Sequence, residues 1–358
     1  MKRYLAIDSG KFATKVAEYN VQTDTIRKFS ILTKAGEGDF RDDAIEAHTV
    51  IVEIDGKAYK VGNGARGIGA SLDTDKKTDV HRLCTLTAIA TVCSASEEDE
   101  IYCAVGLPAK EWANVAKRID YKDYILPEGK MSIKIKTSST APVIEKSFTI
   151  KGRYVFPESI GALFMDETIE HITPTSITGV LDIGNLNLNA TLWQGTELLQ
   201  DKSLTADLGG AMLIQELSQE ISTTITPCDE LITAHILKSG NRQLPSDLSL
   251  TAKQVEESKT LISRVLKEHA EKVKKACRAR NWSLDVTKIV AIGGTADLIK
   301  DELSEVFGNI TILPETPYCN AFGYLRIMCS QIPEIGKVIP LVEGKTAEDS
   351  TVRRAHKD

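Results

Sequence analysis

The 358-residue sequence lacks the features that mark several large classes of protein. No apolar run approaches the ~18 residues that a membrane-spanning helix needs, and the most apolar helix candidate extends only from Leu83 to Ala95. A strand pattern begins almost at the first residue, so we expect no signal peptide. Positive charge is not in excess, because 44 Lys and Arg face 50 Asp and Glu and leave a net charge of −6. That balance argues against a protein that coats nucleic acid by itself.

The spacing of cysteine, histidine and serine excludes a second group of proteins. Seven cysteines are scattered without a Cys-x-x-Cys pair, which favours reduced thiols in a cytoplasmic protein. The six histidines show no His-x-x-x-His spacing for a metal ion. A Walker phosphate loop and a Gly-x-Ser-x-Gly nucleophile elbow are both missing from the sequence, so it predicts neither a P-loop enzyme nor a serine hydrolase of that type.

A short pattern that occurs twice is the most informative feature that is present. An apolar strand ends in an Asp, a Gly follows two residues later, and a second extended run begins after a few small or polar residues. The first copy contains Asp8 and Gly10, and the second contains Asp182 and Gly184. The copies lie about half the chain apart. This spacing favours two copies of a strand-rich α/β unit, and the length of the chain suits two lobes.

Each of these turns is a candidate phosphate-binding element. In the first turn, backbone N–H groups could bind phosphate at Ser9, Gly10, Lys11 and Phe12, and Gly10 lets a ligand come close because it has no Cβ. Lys15 could act as a point charge toward the phosphates. The alternative is a plain β-hairpin whose lysines face solvent.

The second turn extends the same hypothesis to a metal ion. The segment from Asp182 to Asn189 would surround the distal phosphate, with Gly184 and Asn185 in contact with it. Asp8 and Asp182 would then lie on either side of Mg²⁺ and act mainly through water, because magnesium keeps several of its waters. Each Asp is alternatively a turn-forming residue that bonds its own backbone.

Three further candidates lie outside the two turns. Glu158 is predicted at the start of a helix that directly follows a strand, where it could serve as a general base or position a water; the alternative is a helix-capping Glu. Gly293, Gly294 and Thr295 connect a strand to a helix, where a base or sugar could pack on the backbone; the alternative is a tight connection. We also include Gly209 and Gly210, which open a helix, among the candidate nucleotide contacts.

Hydrophobic periodicity predicts the order of strands and helices. The predicted strands are Tyr4–Ile7, Thr14–Tyr19, Thr25–Thr33, Val50–Ile54, Lys57–Val61, Ile101–Val105, Met131–Lys136, Val143–Phe156, Gly179–Ile183, Leu188–Trp193, Glu197–Leu204, Lys288–Ile292 and Ile310–Leu313. The predicted helices are Arg82–Ser94, one from about Ala109, Pro157 to about Glu170, one opened by Gly209, Ala252 to Asn281, Ala296–Val306 and Cys319 to Gln331. The corresponding domain prediction is lobe I at 1–160, lobe II at 161–318, a C-terminal helix returning to lobe I at 319–343, and a disordered tail at 344–358.

The segment Lys267–Arg280 is strongly basic. It contains six basic residues against Glu268 and Glu271. It is either a solvated helix face, a contact with an acidic neighbouring subunit, or a weak nucleic-acid patch. No aromatic residues are interleaved to stack on single strands.

Taken in order, these motifs resemble the actin-like ATPase family, and within it the bacterial plasmid-segregation actins of the ParM type. The resemblance covers residues 4 to about 330. The motifs that carry it are Asp8-Ser9-Gly10 with Thr14-Lys15, Gly106-Leu107-Pro108, Pro157-Glu158-Ser159, Leu181-Asp182-Ile183-Gly184, Ile292-Gly293-Gly294-Thr295-Ala296 and Asn320-Ala321-Phe322-Gly323.

The resemblance implies a two-lobed α/β fold, a duplicated RNase H-like fold with a nucleotide cleft between the lobes. It further implies that the protein forms filaments with itself, that ATP or GTP hydrolysis with Mg²⁺ controls their stability, and that a DNA-bound adaptor links them to plasmid copies. We expect no direct DNA binding and no membrane partner. By the same resemblance, Glu158 would orient the attacking water, Asp8 and Asp182 would govern magnesium, and Gly293 and Gly294 would flank the nucleoside.

The second turn departs from the family pattern. In family members it is commonly rich in Gly and Thr and often ends in a second Asp, whereas this sequence has Asn185 and Asn189. We therefore expect this protein to differ from its relatives in its rate of hydrolysis.

Two other functions fit the same fold. A sugar or acetate kinase would need an Asp base, and no clear motif for one lies between Gly106 and Glu158. A chaperone-like member would need a separate peptide-binding domain, for which residues 332–358 are too few.

Overall fold

The computed structural model of the protein describes seven stretches of chain: residues 1–42, 44–69, 75–240, 242–244, 248, 250–285 and 287–341. The chain divides into two compact units. Unit 1 holds Met1–Ile169 together with the chain from Asn320 onward, and unit 2 holds Glu170–Cys319. The tail predicted to be disordered, residues 344–358, lies outside the described residues.

Unit 1 is built on a mixed sheet that has ten strands in the described part of the chain. The strands are β1 (Lys2–Ser9), β2 (Ala13–Asn20), β3 (Thr25–Leu32), β4 (Lys34–Glu37), β5 (Thr49–Ile54), β6 (Lys57–Gly62), β7 (Ile68–Gly69), β8 (Asp99–Leu107), β9 (Lys130–Lys136) and β10 (Ile144–Pro157). Their order in the sheet is β3-β2-β1-β8-β10-β9-β5-β6-β4-β7.

The strand β1 lies inside this sheet and delivers the first turn. It pairs antiparallel with β2 and parallel with β8. Its residues from Tyr4 to Ser9 are buried on both faces, as a continuous apolar run predicts. Across β1 and β2, Asp8 lies opposite Lys15. The register therefore fixes these two candidate residues side by side.

Helices cover the sheet of unit 1. They are α1 (Asp79–Val92), α2 (Ala109–Trp112), α3 (Val115–Ile125) and α4 (Asp166–Ile169). The helix α1 begins at the N-cap Thr78, and most of its residues are buried against the sheet. Leu86 and Ile89 are fully buried, and each such side chain contributes about 1.5–3 kcal/mol of hydrophobic stabilisation.

Unit 2 repeats the central part of this topology on a smaller scale. Its strands are β11 (Ile177–Ile183), β12 (Leu188–Gln194), β13 (Glu197–Ala206), β14 (Lys288–Ile292) and β15 (Ile310–Ile312), in the order β13-β12-β11-β14-β15. An antiparallel meander is again followed by a strand parallel to the first, because β14 pairs parallel with β11. Asp182 lies opposite Asn189 across β11 and β12.

The helices of unit 2 are α5 (Gly210–Thr224), α6 (Glu230–Ser239), α7 (Ala252–Ala279), α8 (Gly294–Leu298) and α9 (Lys300–Phe307). The longest, α7, starts with a capping box between Thr251 and Gln254. Its apolar face, which includes Ile262, Leu266 and Val273, is buried in the core of the unit.

The helix α10 (Cys319–Gln331) carries the chain back into unit 1 at Asn320. Gly323 lies directly against Gly161 there. Arg326 donates to the Phe164 carbonyl at 2.5 Å and pairs with Asp166 at 2.8 Å. These contacts fix the segment that follows β10.

All thirteen predicted strands are confirmed, and so are the helices predicted near 82–94, 252–281 and 319–331. The predicted hairpin turn at Asp55-Gly56 is also confirmed, since both residues adopt positive φ, 54° and 75°. The strand β4 and the helix α6 were not predicted. The single helix predicted at Ala296–Val306 is instead α8 and α9, which are separated at Ile299, where φ is −117° and no side chain caps the second helix.

The helix predicted to begin at Pro157 is wrong. Pro157 is the last residue of β10, and Glu158 lies in a turn. A short 3-10 helix then covers Ile160–Phe164 before α4. Ser159 has a φ of 74°, in the left-handed region, so the chain cannot enter an α-helix at this point. The helix N-terminus therefore gives no support to a role for Glu158.

Candidate functional site

The turn after β1 is compact and held from several sides. Asp8 is 6% exposed and Ser9 is fully buried, with its hydroxyl 3.0 Å from that of Thr85 on α1. The Gly10 N–H donates to the Asp8 carbonyl at 2.9 Å. The Thr33 hydroxyl donates to the Gly10 carbonyl at 2.7 Å. The turn is thus fixed by its neighbours in the fold as well as by its own backbone.

The side chains of this turn point in different directions. The Nζ of Lys15 lies 3.8 Å from Asp8 Oδ2, so Lys15 forms an ion pair with the residue that it faces across the two strands. Lys11 donates to the backbone carbonyl of Asp75 at 2.7 Å. Phe12 is 54% exposed. Of the predicted residues in the turn, Lys15 is therefore the one whose charge adjoins Asp8.

The structure adds a residue that sequence reasoning missed. Lys76 is 5% exposed, and its Nζ lies 3.7 Å from Asp8 Oδ1 and in an ion pair with Glu158 Oε1. Burial opposes its charge, but the carboxylates of Glu158 and Asp8 outweigh burial and raise the pKa of Lys76 above its usual value. No sequence signal separates Lys76 from Lys77, which instead pairs with exposed Asp120 at 2.6 Å.

Glu158 reaches this cluster from the end of β10. Its N–H donates to the Leu107 carbonyl at 2.8 Å, at the end of the neighbouring strand β8. The next residue, Ser159, donates its N–H to the side chain of Asn320 on α10 at 3.2 Å. The side chain of Glu158 is 5% exposed. Unit 1 therefore brings together Asp8, Lys15 and Glu158 from the ends of three strands and Lys76 from the segment before α1.

Two buried polar side chains complete the surroundings in unit 1. His81 on α1 is fully buried, with its Nδ1 2.7 Å from the Thr78 hydroxyl and its Nε2 without a hydrogen-bond partner. Burial, helped by the positive charges of Lys76 and Lys11, lowers the pKa of His81 to about 3, so its ring is neutral at pH 7. Tyr121 donates to the Gly106 carbonyl at 3.1 Å, and burial raises the pKa of its phenol.

Unit 2 holds the second turn, which is built from backbone contacts. The Gly184 N–H donates to the Asn187 carbonyl at 2.9 Å. The Gly184 carbonyl accepts from the Gly210 N–H at 3.0 Å and from the Thr295 hydroxyl at 2.8 Å. The Asn185 carbonyl accepts from the backbone N–H that follows Gly210, at 2.6 Å. The starts of α5 and α8 therefore meet at the Gly184 turn.

Two glycines allow the starts of α5 and α8 to approach the Gly184 turn closely. Gly293 has a φ of 96°, and a Cβ on it would overlap the Ile183 carbonyl and lie 2.9 Å from Asp182 Oδ1. A Cβ on Gly209 would overlap the peptide between Leu186 and Asn187. Both positions require the absence of a side chain. A Cβ on Gly294, in contrast, would meet nothing within 4 Å, so it lies open.

The charged and amide groups of the second turn are more exposed than those of the first. Asp182 is half-buried at the end of β11, and Asn189 accepts a hydrogen bond from the Thr205 hydroxyl at 2.8 Å. Among the described residues, no group of three His, Cys, Asp or Glu side chains is placed to hold a metal ion. A magnesium ion here would therefore have few protein ligands and many waters, which suits its chemistry.

Three of the six basic residues in the segment Lys267–Arg280 have partners within unit 2. Lys267 pairs with Glu305 at 2.5 Å, and Lys272 pairs with Glu216 at 2.6 Å. Lys274 donates to the Val306 carbonyl at 2.6 Å. These contacts favour the interpretation as a solvated helix face. The seven cysteines are buried, and none of the helices in the described chain is long and apolar enough to span a membrane.

Comparisons with known proteins show which family and which solved structures the chain is similar to. A family model for the N-terminal domain of actin-like proteins matches residues 6–161. The structure is similar to that of an Alp12 filament, with 23% identity, a TM-score of 0.70, and coverage of 92% of this chain and 99% of that chain. No match was found among proteins of curated function.

Two further solved structures share the fold. One is ParM in a 15-stranded filament from Clostridium botulinum, with 15% identity, a TM-score of 0.67, and coverage of 91% of this chain and 99% of that one. The other is Ta0583, an archaeal actin homologue in complex with ADP, with 17% identity, a TM-score of 0.65, and coverage of 89% and 97%. The resemblance inferred from the sequence motifs is confirmed. Residues 6–161 match the model of the N-terminal domain of actin-like proteins, and the chain as described has the actin-like α/β fold.

Proposed function

We propose that this protein binds ATP or GTP with Mg²⁺, assembles into filaments, and hydrolyses the nucleotide to control their stability. One observation carries the proposal: the equivalent strands β1 and β11 of the two units each end in an Asp followed by a glycine turn. Strand ends with a glycine turn and a nearby carboxylate suit a polyphosphate and its metal ion. The similar solved structures include filaments and a complex with ADP, which supports the same function here.

The proposed roles follow from the surroundings of each residue. The backbone of Ser9 and Gly10, with Lys15, binds phosphate beside Asp8. The Gly184 turn, with Asn185 and the starts of α5 and α8, binds the other phosphates, and the Gly293-Gly294 turn flanks the nucleoside. Asp8 would hold Mg²⁺ through its waters, and Asp182 is proposed for the same role from the turn of unit 2. When bound, the ion would supply positive charge close to the phosphates.

Glu158 is proposed to orient the attacking water. Its carboxylate accepts a hydrogen bond from that water, whose oxygen attacks the terminal phosphorus. The bond from this phosphorus to the bridging oxygen breaks, and the electron pair leaves with the nucleoside diphosphate. The water's protons end on the released phosphate or in solvent, so Glu158 is unchanged after each cycle.

A sedimentation assay tests assembly. The protein at tens of micromolar, with Mg²⁺ and either ATP or GTP, should pellet and show filaments by electron microscopy, and it should not do so without nucleotide. A protein that stays monomeric with both nucleotides would contradict the proposal.

Replacement of Glu158 separates hydrolysis from assembly. Glu158→Ala should still form filaments but release phosphate about 10²–10⁴-fold more slowly, the range expected for a lost acid–base group. Glu128→Ala, at a carboxylate whose side chain is 83% exposed, is the matched control and should behave as the wild type. Unchanged phosphate release in Glu158→Ala would show that Glu158 is only structural.

We further propose that the filaments move plasmid copies apart through a DNA-bound adaptor. The solved structures of ParM filament proteins support this role by their fold. A plasmid that depends on this protein should be lost more often from dividing cells when the protein carries Glu158→Ala. Equal loss rates for the two forms would contradict a role in segregation while leaving filament formation intact.

A further inference from the structure

Lys76 contacts both unit 1 carboxylates of the proposed site, and the proposed function does not yet use it. A lysine that is 5% exposed has left most of its water, and such a charge is tolerated only with partners of opposite sign. Lys76 has two, because its ammonium contacts Asp8 and Glu158. These are the two carboxylates of unit 1 that are proposed for the metal ion and for the attacking water.

The local backbone shows that this burial is specific to one of two adjacent lysines. Lys76 and Lys77 directly precede the N-cap of α1, Thr78. The first points into the cluster, whereas the second pairs with Asp120 at the surface, where both side chains are more than a third exposed. The chain therefore provides an internal control of identical chemistry one residue away.

The cluster is close to electrical balance. Asp8 and Glu158 supply two negative charges, and Lys76 and Lys15 supply two positive charges. A polyphosphate that approaches the Asp8 turn thus meets paired carboxylates rather than two unpaired anions. Without Lys76, Asp8 and Glu158 would repel each other, and the Glu158 side chain would lose a contact that helps to orient it.

We propose that Lys76 is a positioning residue for nucleotide hydrolysis, which orients the Glu158 carboxylate toward the attacking water and keeps it beside Asp8. This inference rests on the proposed function, in which Glu158 accepts a hydrogen bond from that water. Lys76 acts through Glu158, so its removal should affect the chemical step more than nucleotide binding.

The first test compares kcat and KM for phosphate release with Mg²⁺ and the nucleotide that the wild type hydrolyses. Lys76→Met keeps the length of the side chain and removes its charge. It should lower kcat roughly tenfold or more with KM within about threefold of the wild type, since the lost interaction acts in the transition state. Lys77→Met should leave both constants unchanged. Lys76→Arg should retain more of kcat than Lys76→Met, because it keeps the charge in a different shape.

The second test is a double-mutant cycle with Glu158→Gln. In that background, Lys76→Met should cause no further loss of kcat, because the residue through which it acts is already disabled. The same cycle is measured without nucleotide as the urea midpoint of unfolding. There Lys76→Met should lower the midpoint more in the wild type than in the Glu158→Gln background, where one buried negative charge has been removed.

The outcomes separate this inference from the function on which it rests. A wild type that releases no phosphate with ATP or GTP contradicts the proposed function itself. A wild type that does so, with an unchanged kcat in Lys76→Met or independent losses in the cycle, overturns the role of Lys76 alone. Should Lys76→Met fail to fold, Lys76→Gln, which also removes the charge, takes its place in the cycle: a loss of kcat that vanishes with Glu158→Gln supports the inference, and a persistent loss or none overturns it.

Discussion

The turns after β1 and β11 are equivalent in topology and different in chemistry. Each follows the first strand of an antiparallel meander, and each places an Asp opposite a polar residue of the next strand. That opposite residue is Lys15 in unit 1 and Asn189 in unit 2. The first turn is surrounded by buried charges, whereas the second is surrounded by backbone amides, Asn and Thr.

The difference shows what a duplicated fold keeps and what it varies. The register of the strands fixes where the Asp and the turn lie in both units. The groups around each turn come from distant parts of the chain: Lys76 and Glu158 in unit 1, Gly209 and Gly293 in unit 2. The first turn therefore depends on the balance of charge, and the second depends on close steric fit.

The importance of close steric fit in the second turn can be tested at Gly293. Gly293→Ala should lower the free energy of unfolding by about 2–5 kcal/mol, because an alanine is strained at a φ of 96° and its Cβ overlaps the Ile183 carbonyl. Urea denaturation of the purified variant measures this change.

Gly308→Ala is the matched control. Gly308 also has a positive φ, 76°, but a Cβ there would meet nothing within 4 Å. It should cost only the conformational strain of about 1–2 kcal/mol. Equal losses in the two variants would show that the close approach at Gly293 is unimportant.

The effect of the buried, charged surroundings of the first turn can be tested through His81. Because its pKa falls to about 3 in the folded protein, the unfolded chain binds more protons between that value and its ordinary pKa. Stability should therefore decrease as the pH falls from about 7, and the contribution of His81 to this loss should reach about 3 kcal/mol at pH 4. His81→Asn should remove this part of the pH dependence, as measured by urea unfolding from pH 7 to pH 4.

His235→Asn, at an exposed histidine of unit 2, provides the control and should leave the pH dependence as in the wild type. If His81→Asn has the same pH dependence as the wild type, the buried ring does not resist protonation in the way that its surroundings indicate.

The smallest expected effect comes from adding a charge to the second turn. Asn189→Asp would place a carboxylate opposite Asp182, as in many relatives by the sequence resemblance. We expect phosphate release to rise by roughly threefold to tenfold, in the range of one modest interaction of about 1 kcal/mol in the transition state. Asn187→Asp adds the same charge elsewhere in the turn and should have no such effect. Equal rates in Asn189→Asp and the wild type would remove Asn189 as the cause of any difference from the family.

Much of the fold could be predicted from the sequence because its signals are local. Alternating or continuous apolar residues predicted every strand from β1 to β3 and from β11 to β15, and the Asp55-Gly56 pair predicted a hairpin. The helix expected at Pro157 failed for a reason that is not local. Glu158 is tied to Leu107 and Ser159 to Asn320, and these distant partners keep the segment out of an α-helix.

The candidate site, too, was predictable from the sequence only in part. The sequence by itself determined the two Asp turns and their glycines, because strand periodicity and turn-forming residues act over a few neighbouring positions. Only the tertiary structure decided that Lys76, and not Lys77, lies between Asp8 and Glu158, and that Gly210 and Thr295 meet at Gly184. These contacts join residues far apart in the chain, so they depend on how strands and helices pack, which no short stretch of sequence encodes.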